Sequence, residues 1–376
     1  MFYQLENIKE IDFSNFDTSD VVNMDYMFAN CANLETINNL KAASITSMNY
    51  IFANCGNLNY LNLWNFHVSH VEYMISSFEG CSKLQTIDGL NQFNPQNLKN
   101  MAGMFSNCKK IEYIDLGQFD TSQVTDMNSL FNNCESLSTL IIHFNTGKVN
   151  NMEKMFNNCK KIMNVELNNF DTSLVTNMAY MFNGCEILQS VDLSKFSTSQ
   201  VTSMECMFNN CNAIKFFINL GNFDTSLVKN MRYMFSELRN IESLDLASFQ
   251  TSNVENMEYM FNNCNCLIYI NNNLGNFDTS SVTNMQYMFN NCYRLLSLNL
   301  AGFRTSKVKS MAYMFNECND IKNIDNLNNF DTSQVTNMAF MFYKCHNLQS
   351  LDLIGFNTNL VEDMIKCSMN AIQLHI

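Results

Sequence analysis

The stretch LQSVDLSKFSTSQVTSMECMFNNC, residues 188–211, decides the fold, because two periodicities follow one another within it. Leu188, Val191 and Leu193 suit a short strand, with Val191 and Leu193 on one side and Asp192 on the other. Phe196 closes that segment, and Ser197, Thr198 and Ser199 bring hydroxyls able to cap a helix N-terminus. Val201, Met204, Met207, Phe208 and Cys211 then fall at steps of three, three, one and three, which predicts one apolar face of a short helix. Asn209 and Asn210 weaken that helix and favour a tight return, since Asn prefers turns and tolerates left-handed geometry.

The same pattern recurs along the chain. Phe stands at 2, 28, 52, 78, 105, 131, 156, 182, 208, 235, 261, 289, 315 and 342, with 26 the commonest spacing. Cys follows three residues later in twelve copies; Leu238 and Leu5 replace it in two. Met stands four residues before each later Phe, and a second Met usually precedes it directly. The string FDTS is unaltered at Phe16, Phe119, Phe170, Phe223, Phe277 and Phe330. A unit of this size cannot bury its own apolar face, but stacked units cover one another. The expectation is an α/β solenoid of about 14 units over residues 1–376, with one short parallel strand and one short helix per repeat. Residues 1–8 form an incomplete first unit and residues 362–376 a degenerate last one. Parallel strands about 4.8 Å apart would give a sheet on the order of 65 Å long, curved because helices are bulkier than strands.

Composition narrows the function. Lys and Arg number 22 against 35 Asp and Glu, a formal net charge of −13. That balance argues against nucleic acid, whose phosphates need cationic partners, and against docking on an anionic membrane. No apolar run approaches the 18 or so residues of a membrane span. There is no Gly-rich phosphate loop, nucleophile elbow or paired His/carboxylate signature, so no catalytic residue, cofactor or metal site is assigned and an enzyme is not expected.

The units VDLSKFSTSQVTSMECMFNNC and LDLASFQTSNVENMEYMFNNC resemble those of the BspA-like leucine-rich repeat proteins, surface proteins of bacteria and of some parasitic protists. The resemblance covers about residues 1–365. It implies a leucine-rich repeat solenoid, a location at the cell surface or outside the cell, and adhesion to host, matrix or other cells through a protein ligand. It carries no common enzymatic activity. No secretory signal or lipoprotein cysteine box opens this chain, and Met1-Phe2 stands in the register of Met27-Phe28. Two expectations stay open: a piece of a longer protein, or a leaderless protein with a frayed first unit. A cytoplasmic location is compatible with the second. Leu374-His375-Ile376 is expected to form a terminal strand, and open solenoid ends could pair end to end with another copy.

Most conspicuous side chains have a structural reading. Twelve cysteines lie on the apolar stripe and should form an inward column of free thiols, with parallel side-chain vectors that suit bridging poorly. Cys206, Cys266 and Cys367 lie off it and read as exposed thiols or accidents. His67 and His70 are three apart, but in the turn before the predicted helix and without a third ligand. The Asp of FDTS (Asp17, Asp120, Asp171, Asp224, Asp278, Asp331) can cap backbone N–H groups; a calcium ladder is the rival, disfavoured because Arg304 fills the same place in one copy.

The candidate partner-binding residues lie on the outward side of the strands. The central polar column includes Asp88, Asp115, Glu166, Asp192 and Asp245, interrupted by Ile141 and Ile218 as exposed apolar anchors. Asp88/Asp115 and Glu166/Asp192 are expected as stacked carboxylates that a basic protein surface or a cation would relieve. Two residues earlier on the same face stand Tyr60, Tyr113 and Tyr269, a residue type favoured at interfaces. A merely solvated face is the alternative.

Overall fold

The computed structural model describes residues 2–271 and 274–368. The predicted terminal strand at Leu374-His375-Ile376 lies outside them, as do Asn272 and Asn273. The chain divides into two compact units, Met1–Val175 with Tyr180–Ile187, and Thr176–Ala179 with Leu188–Ile376.

Each unit is a stack of parallel coils. In the first the strands are β1 (Glu10–Asp12), β2 (Thr36–Asn38), β3 (Tyr60–Asn62), β4 (Thr86–Asp88), β5 (Tyr113–Leu116) and β6 (Thr139–Ile142). In the second they are β7 (Ser190–Asp192), β8 (Phe216–Ile218), β9 (Ser243–Asp245), β10 (Tyr269–Asn271), β11 (Ser297–Asn299) and β12 (Asn323–Asp325). They pair in parallel, for example Tyr60↔Thr86, Leu61↔Ile87 and Asn62↔Asp88. The middle residue points inward and its neighbours outward, as alternation requires.

The predicted helix is the main correction. Among the described residues there is no α-helix. Where one was expected, N–H groups alternate between two kinds of acceptor. Met204, Cys206, Phe208 and Asn210 donate to Asn230, Arg232, Met234 and Ser236 of the next coil at 2.9–3.0 Å. Met207, Asn209 and Cys211 donate back to Met204, Cys206 and Phe208, three residues earlier. The segment is thus a run of turns that hydrogen-bonds along the stack. The turns Met24–Met27 and Phe28–Cys31 each have a third residue at positive φ, Tyr26 at 56° and Asn30 at 62°, as in type II turns. Turns of this length and a helix bury the same i, i+3, i+4 positions, so the apolar stripe alone cannot separate them.

Those left-handed residues cost about 1–2 kcal/mol each outside glycine, and stacking between coils offsets that. Tyr233, Tyr259, Tyr287 and Tyr313 lie ring on ring at 4.4–4.5 Å. The asparagines form amide ladders: Asn133 donates to Asn107 and Asn158 to Asn133, at 2.9 and 2.8 Å. In the second unit a ladder joins Asn262, Asn290 and Asn316. The heavy use of Asn therefore serves coil-to-coil bonding as well as turning.

The Phe and Met columns fill the core. Phe28, Phe52, Phe78, Phe105, Phe131, Phe156 and Phe182 stack at 5.3–5.9 Å in the first unit. Phe208, Phe235, Phe261, Phe289, Phe315 and Phe342 do so at 5.2–6.1 Å in the second. The predicted helix caps also have other work. The buried Thr198 hydroxyl donates 2.8 Å to the Asp224 carbonyl of the next coil, and Thr225, Thr251 and Thr279 repeat the bond. The Asp of FDTS accepts from a backbone N–H two residues on, as Asp17 does from Ser19 at 3.0 Å and Asp224 from Ser226 at 2.9 Å. That is local turn capping without a helix behind it.

Candidate functional site

The strand face of the first unit carries a cluster of aromatic rings and carboxylates. Tyr60 ends the outward side of β3 at its start, Asn62 at its finish, and Trp64 continues the same alternation past the strand. Tyr60, Trp64 and Tyr113 are 41, 55 and 52% exposed, high for side chains of that size. The Tyr60 hydroxyl donates 2.8 Å to Asp88 Oδ2, and the Tyr113 hydroxyl 3.2 Å to Asp115 Oδ2. Asp115 Oδ1 also accepts from the Gly117 N–H at 2.9 Å. The hydrogen bond to Asp88 pushes the Tyr60 phenol up, with burial adding to it. Burial comes first for Tyr113, then the charge of Asp115. None of the ion pairs among the described residues uses Asp88 or Asp115; their acids are all Glu.

An inserted turn shapes this cluster into a cleft. After β4 the chain passes Gly89 at φ 86° into a 3-10 turn, Leu90–Gln92, whose Leu90 is buried. A Cβ on Gly89 would lie 2.7 Å from the Trp64 backbone nitrogen, so at this φ the close approach to the preceding coil needs glycine. The result is a cleft of about 240 Å³ lined by Trp64, Asp88, Gly89, Leu90, Tyr113 and Asp115, among others.

The second unit has a counterpart. Asn219 at φ 62° leads from β8 into the 3-10 turn Leu220–Asn222. A cleft of about 320 Å³ there is lined by Phe216, Asn219, Gly221, Asp245 and Asn271. Phe216, Ile218 and Tyr269 stand exposed on the same strand face.

The predicted residues fall into three groups. Asp88, Tyr113 and Asp115 line the first cleft, with Tyr60 bonded to Asp88 and Ile141 paired to Asp115 across β5 and β6. Asp245, Ile218 and Tyr269 lie on the face of the second unit, where Asp245 pairs with Asn271, the outward neighbour of Tyr269. Glu166 and Asp192 are the third group. Glu166 is exposed but lies in a segment without strand structure. Asp192 is occupied locally by the Ser194 hydroxyl and N–H, which hold its carboxyl below the usual range.

Within the paired strands the position of the expected carboxylate ladder sets no carboxylate against another, while Asp88 and Asp115 lie on β4 and β5, which are not paired with each other, and both line the first cleft. At this position the registers set Asp12 against Asn38, Asn62 against Asp88, Asp115 against Ile141, Asp192 against Ile218, Asp245 against Asn271 and Asn299 against Asp325. Within each pair an acid thus faces a neutral residue, which avoids a like-charge cost there. Several of these Asp and Asn side chains also accept from the backbone N–H two residues on, at Ser14, Trp64, Gly117 and Ala247.

Trp64 and Phe216 were missed in the sequence. Phe216 occupies the column of Tyr60, Tyr113 and Tyr269, so reading that column in full would have found it. Trp64 lies one alternation beyond its strand. Among the described residues no group of three or more His, Cys, Asp or Glu is placed to hold a metal. No helix of the described residues is long and apolar enough to cross a membrane. Cys206 corrects another expectation: it is buried, in the position other coils give to Tyr.

A family described as "Mycoplasma protein of unknown function, DUF285" matches residues 1–114, 99–216, 186–294 and 265–375. The chain belongs to that family, whose repeat is BspA-like. Among solved structures it is similar to a leucine-rich repeat protein from Bacteroides ovatus, at 17% identity over 97% of this chain and 85% of that one, TM-score 0.45. One from Eubacterium ventriosum matches at 13% identity over 91% and 84%, TM-score 0.44. A leucine-rich cell surface protein from Faecalibacterium prausnitzii matches at 15% over 85% and 83%, TM-score 0.32. A search of curated proteins found no match.

Proposed function

We propose that this protein is a non-enzymatic binding module, displayed at a cell surface, that takes a basic protein segment on its strand face. The observation that carries the reading is the cleft of Trp64, Tyr113, Asp88 and Asp115, with exposed rings beside carboxylates that form no ion pair among the described residues. Rings and carboxylates together suit Lys and Arg: the carboxylate takes the charge, and an aromatic face attracts the same cation from the side. The net charge of −13 favours the approach of such a partner over an acidic one.

Immobilised peptides of graded Lys and Arg content, measured against the full chain, test this. The expectation is binding that rises with basic content, weakens with salt, and falls at least tenfold in Asp88→Asn/Asp115→Asn. Equal binding of acidic peptides, or no effect of the double substitution, overturns it.

A further inference from the structure

The tyrosine column on the turn face is interrupted in the first unit. Tyr26 and Tyr50 stack there at 4.7 Å with an interplanar angle of 7°. In the next three coils the same place is held by Ser76, Gly103 and Ser129. The column resumes as Lys154, whose Nζ lies 5.4 Å from the ring centre of Tyr180. The backbone does not change across the interruption. Ser76, Gly103 and Ser129 keep φ at 50°, 64° and 55°, against 54° at Tyr50. Their N–H groups reach the next coil at 2.8 Å, the distance Tyr50 makes. Only the rings are missing.

The missing rings leave a groove of about 610 Å³, with Tyr50 at one end and Lys154 at the other. Among the described residues Tyr26 is the one ring stacked on Tyr50, so its other face looks into the groove. Asn107, Asn128 and Asn132 are among the amides that line it.

We propose that this groove is a socket for aromatic side chains of a protein partner, which continue the stack from Tyr50. The coil repeat imposes the geometry. Unbroken parts of the column hold rings 4.4–4.6 Å apart at 5–9° in the second unit, so each empty rung is one ring thick. A ring entering beside Tyr50 meets a flat face on one side and small side chains below. Amide groups at the wall can bond a tyrosine hydroxyl or the partner's backbone. An aliphatic side chain would fill the space without the offset stacking that planar rings gain. The socket is on the turn face and does not depend on the strand-face cleft.

The test uses the full chain and acetyl-Tyr-Gly-Tyr-amide as probe, followed by saturation-transfer NMR on its ring protons. Acetyl-Leu-Gly-Leu-amide and adenosine are controls. The expected result is transfer to the tyrosine rings and at least tenfold weaker binding of both controls. Ser76→Tyr/Gly103→Tyr/Ser129→Tyr fills all three rungs from within and should abolish binding while melting no lower than the parent chain. Tyr50→Leu keeps the bulk but removes the stacking face and should weaken binding at least tenfold; it decides the matter if the filled variant does not fold. No transfer to the tyrosine rings, equal binding of the leucine peptide, or binding unaffected by Tyr50→Leu overturns the proposal. Preferential binding of adenosine also overturns it, in favour of a nucleobase site.

Discussion

The Cys55 thiol donates to the Phe28 carbonyl of the preceding coil at 3.1 Å. The bond recurs from Cys81 to Phe52, Cys108 to Phe78 and Cys134 to Phe105 in the first unit, and from Cys292 to Phe261 and Cys318 to Phe289 in the second. In these coils the cysteine column thus gives a buried carbonyl a partner while filling the space of a small apolar residue. Cys55, Cys81, Cys108, Cys134, Cys292 and Cys318 are free thiols.

Burial pushes these thiols up, to about 12 at Cys185 and Cys345. Since the thiolate is the reactive form, the column should be inert at neutral pH. Alkylation of the native chain followed by peptide mass spectrometry should modify Cys266 and Cys367, the two half-exposed thiols, and leave the column untouched until denaturant is added. Rapid native labelling of Cys108 or Cys134 would contradict the inward column.

The phenylalanine stack sets the cost of core truncation. Phe208 is fully buried and packs on Phe217 and Phe235 at 4.7 and 6.1 Å. Phe208→Ala should destabilise by about 3–5 kcal/mol through lost burial and the cavity left behind. Urea unfolding measures this, and a change well under 1 kcal/mol would mean that the column is not core.

Thr225 joins coils in both directions of hydrogen bonding. Its hydroxyl donates to the Gln250 carbonyl and accepts from the Gln250 N–H, both at 2.8 Å. Thr225→Val keeps the shape but leaves both groups without that partner, at a cost of about 1–3 kcal/mol. Thr225→Ser should recover most of it. The same loss in Ser and Val would assign the effect to the methyl group instead.

The FDTS aspartates predict the acid limb of stability. Ser19 holds the Asp17 carboxyl below its ordinary value through its hydroxyl and then its backbone N–H, and Ser226 and Ser333 do the same for Asp224 and Asp331. At Asp171 the Ser173 backbone N–H leads. A carboxyl lowered on folding adds stability above its unfolded value, about 3.9, and loses it as pH falls through the folded value. Thermal unfolding should therefore be level from pH 6 to 5 and decline below about pH 4. Replacing Asp17, Asp171, Asp224 and Asp331 by Asn should flatten that decline. An unchanged acid limb would remove these capping bonds from the account.

The repeat and its core were legible because burial depends on spacing, and Phe208, Met204 and Cys211 recur at fixed intervals. The turn run was not, because its apolar stripe has the spacing of a helix. The distinguishing signal lay in Asn210 and in the column that Cys206 shares with Tyr233, which hold the left-handed positions, and one copy read alone makes Asn210 a mere helix stop. Alternation correctly turned Tyr60, Asp88, Tyr113 and Asp115 outward. It could not show that Gly89 folds an inserted turn beside Trp64, since that depends on a positive φ and on backbone contact between coils.

Trp64 gives the most direct test of the binding proposal, because removing it leaves every charge in place. A basic peptide that binds the parent chain should bind Trp64→Ala at least tenfold more weakly by titration calorimetry, with the dependence on salt unchanged. Equal affinity for the two chains would mean that the peptide senses only the overall negative charge, and the cleft would no longer be the site.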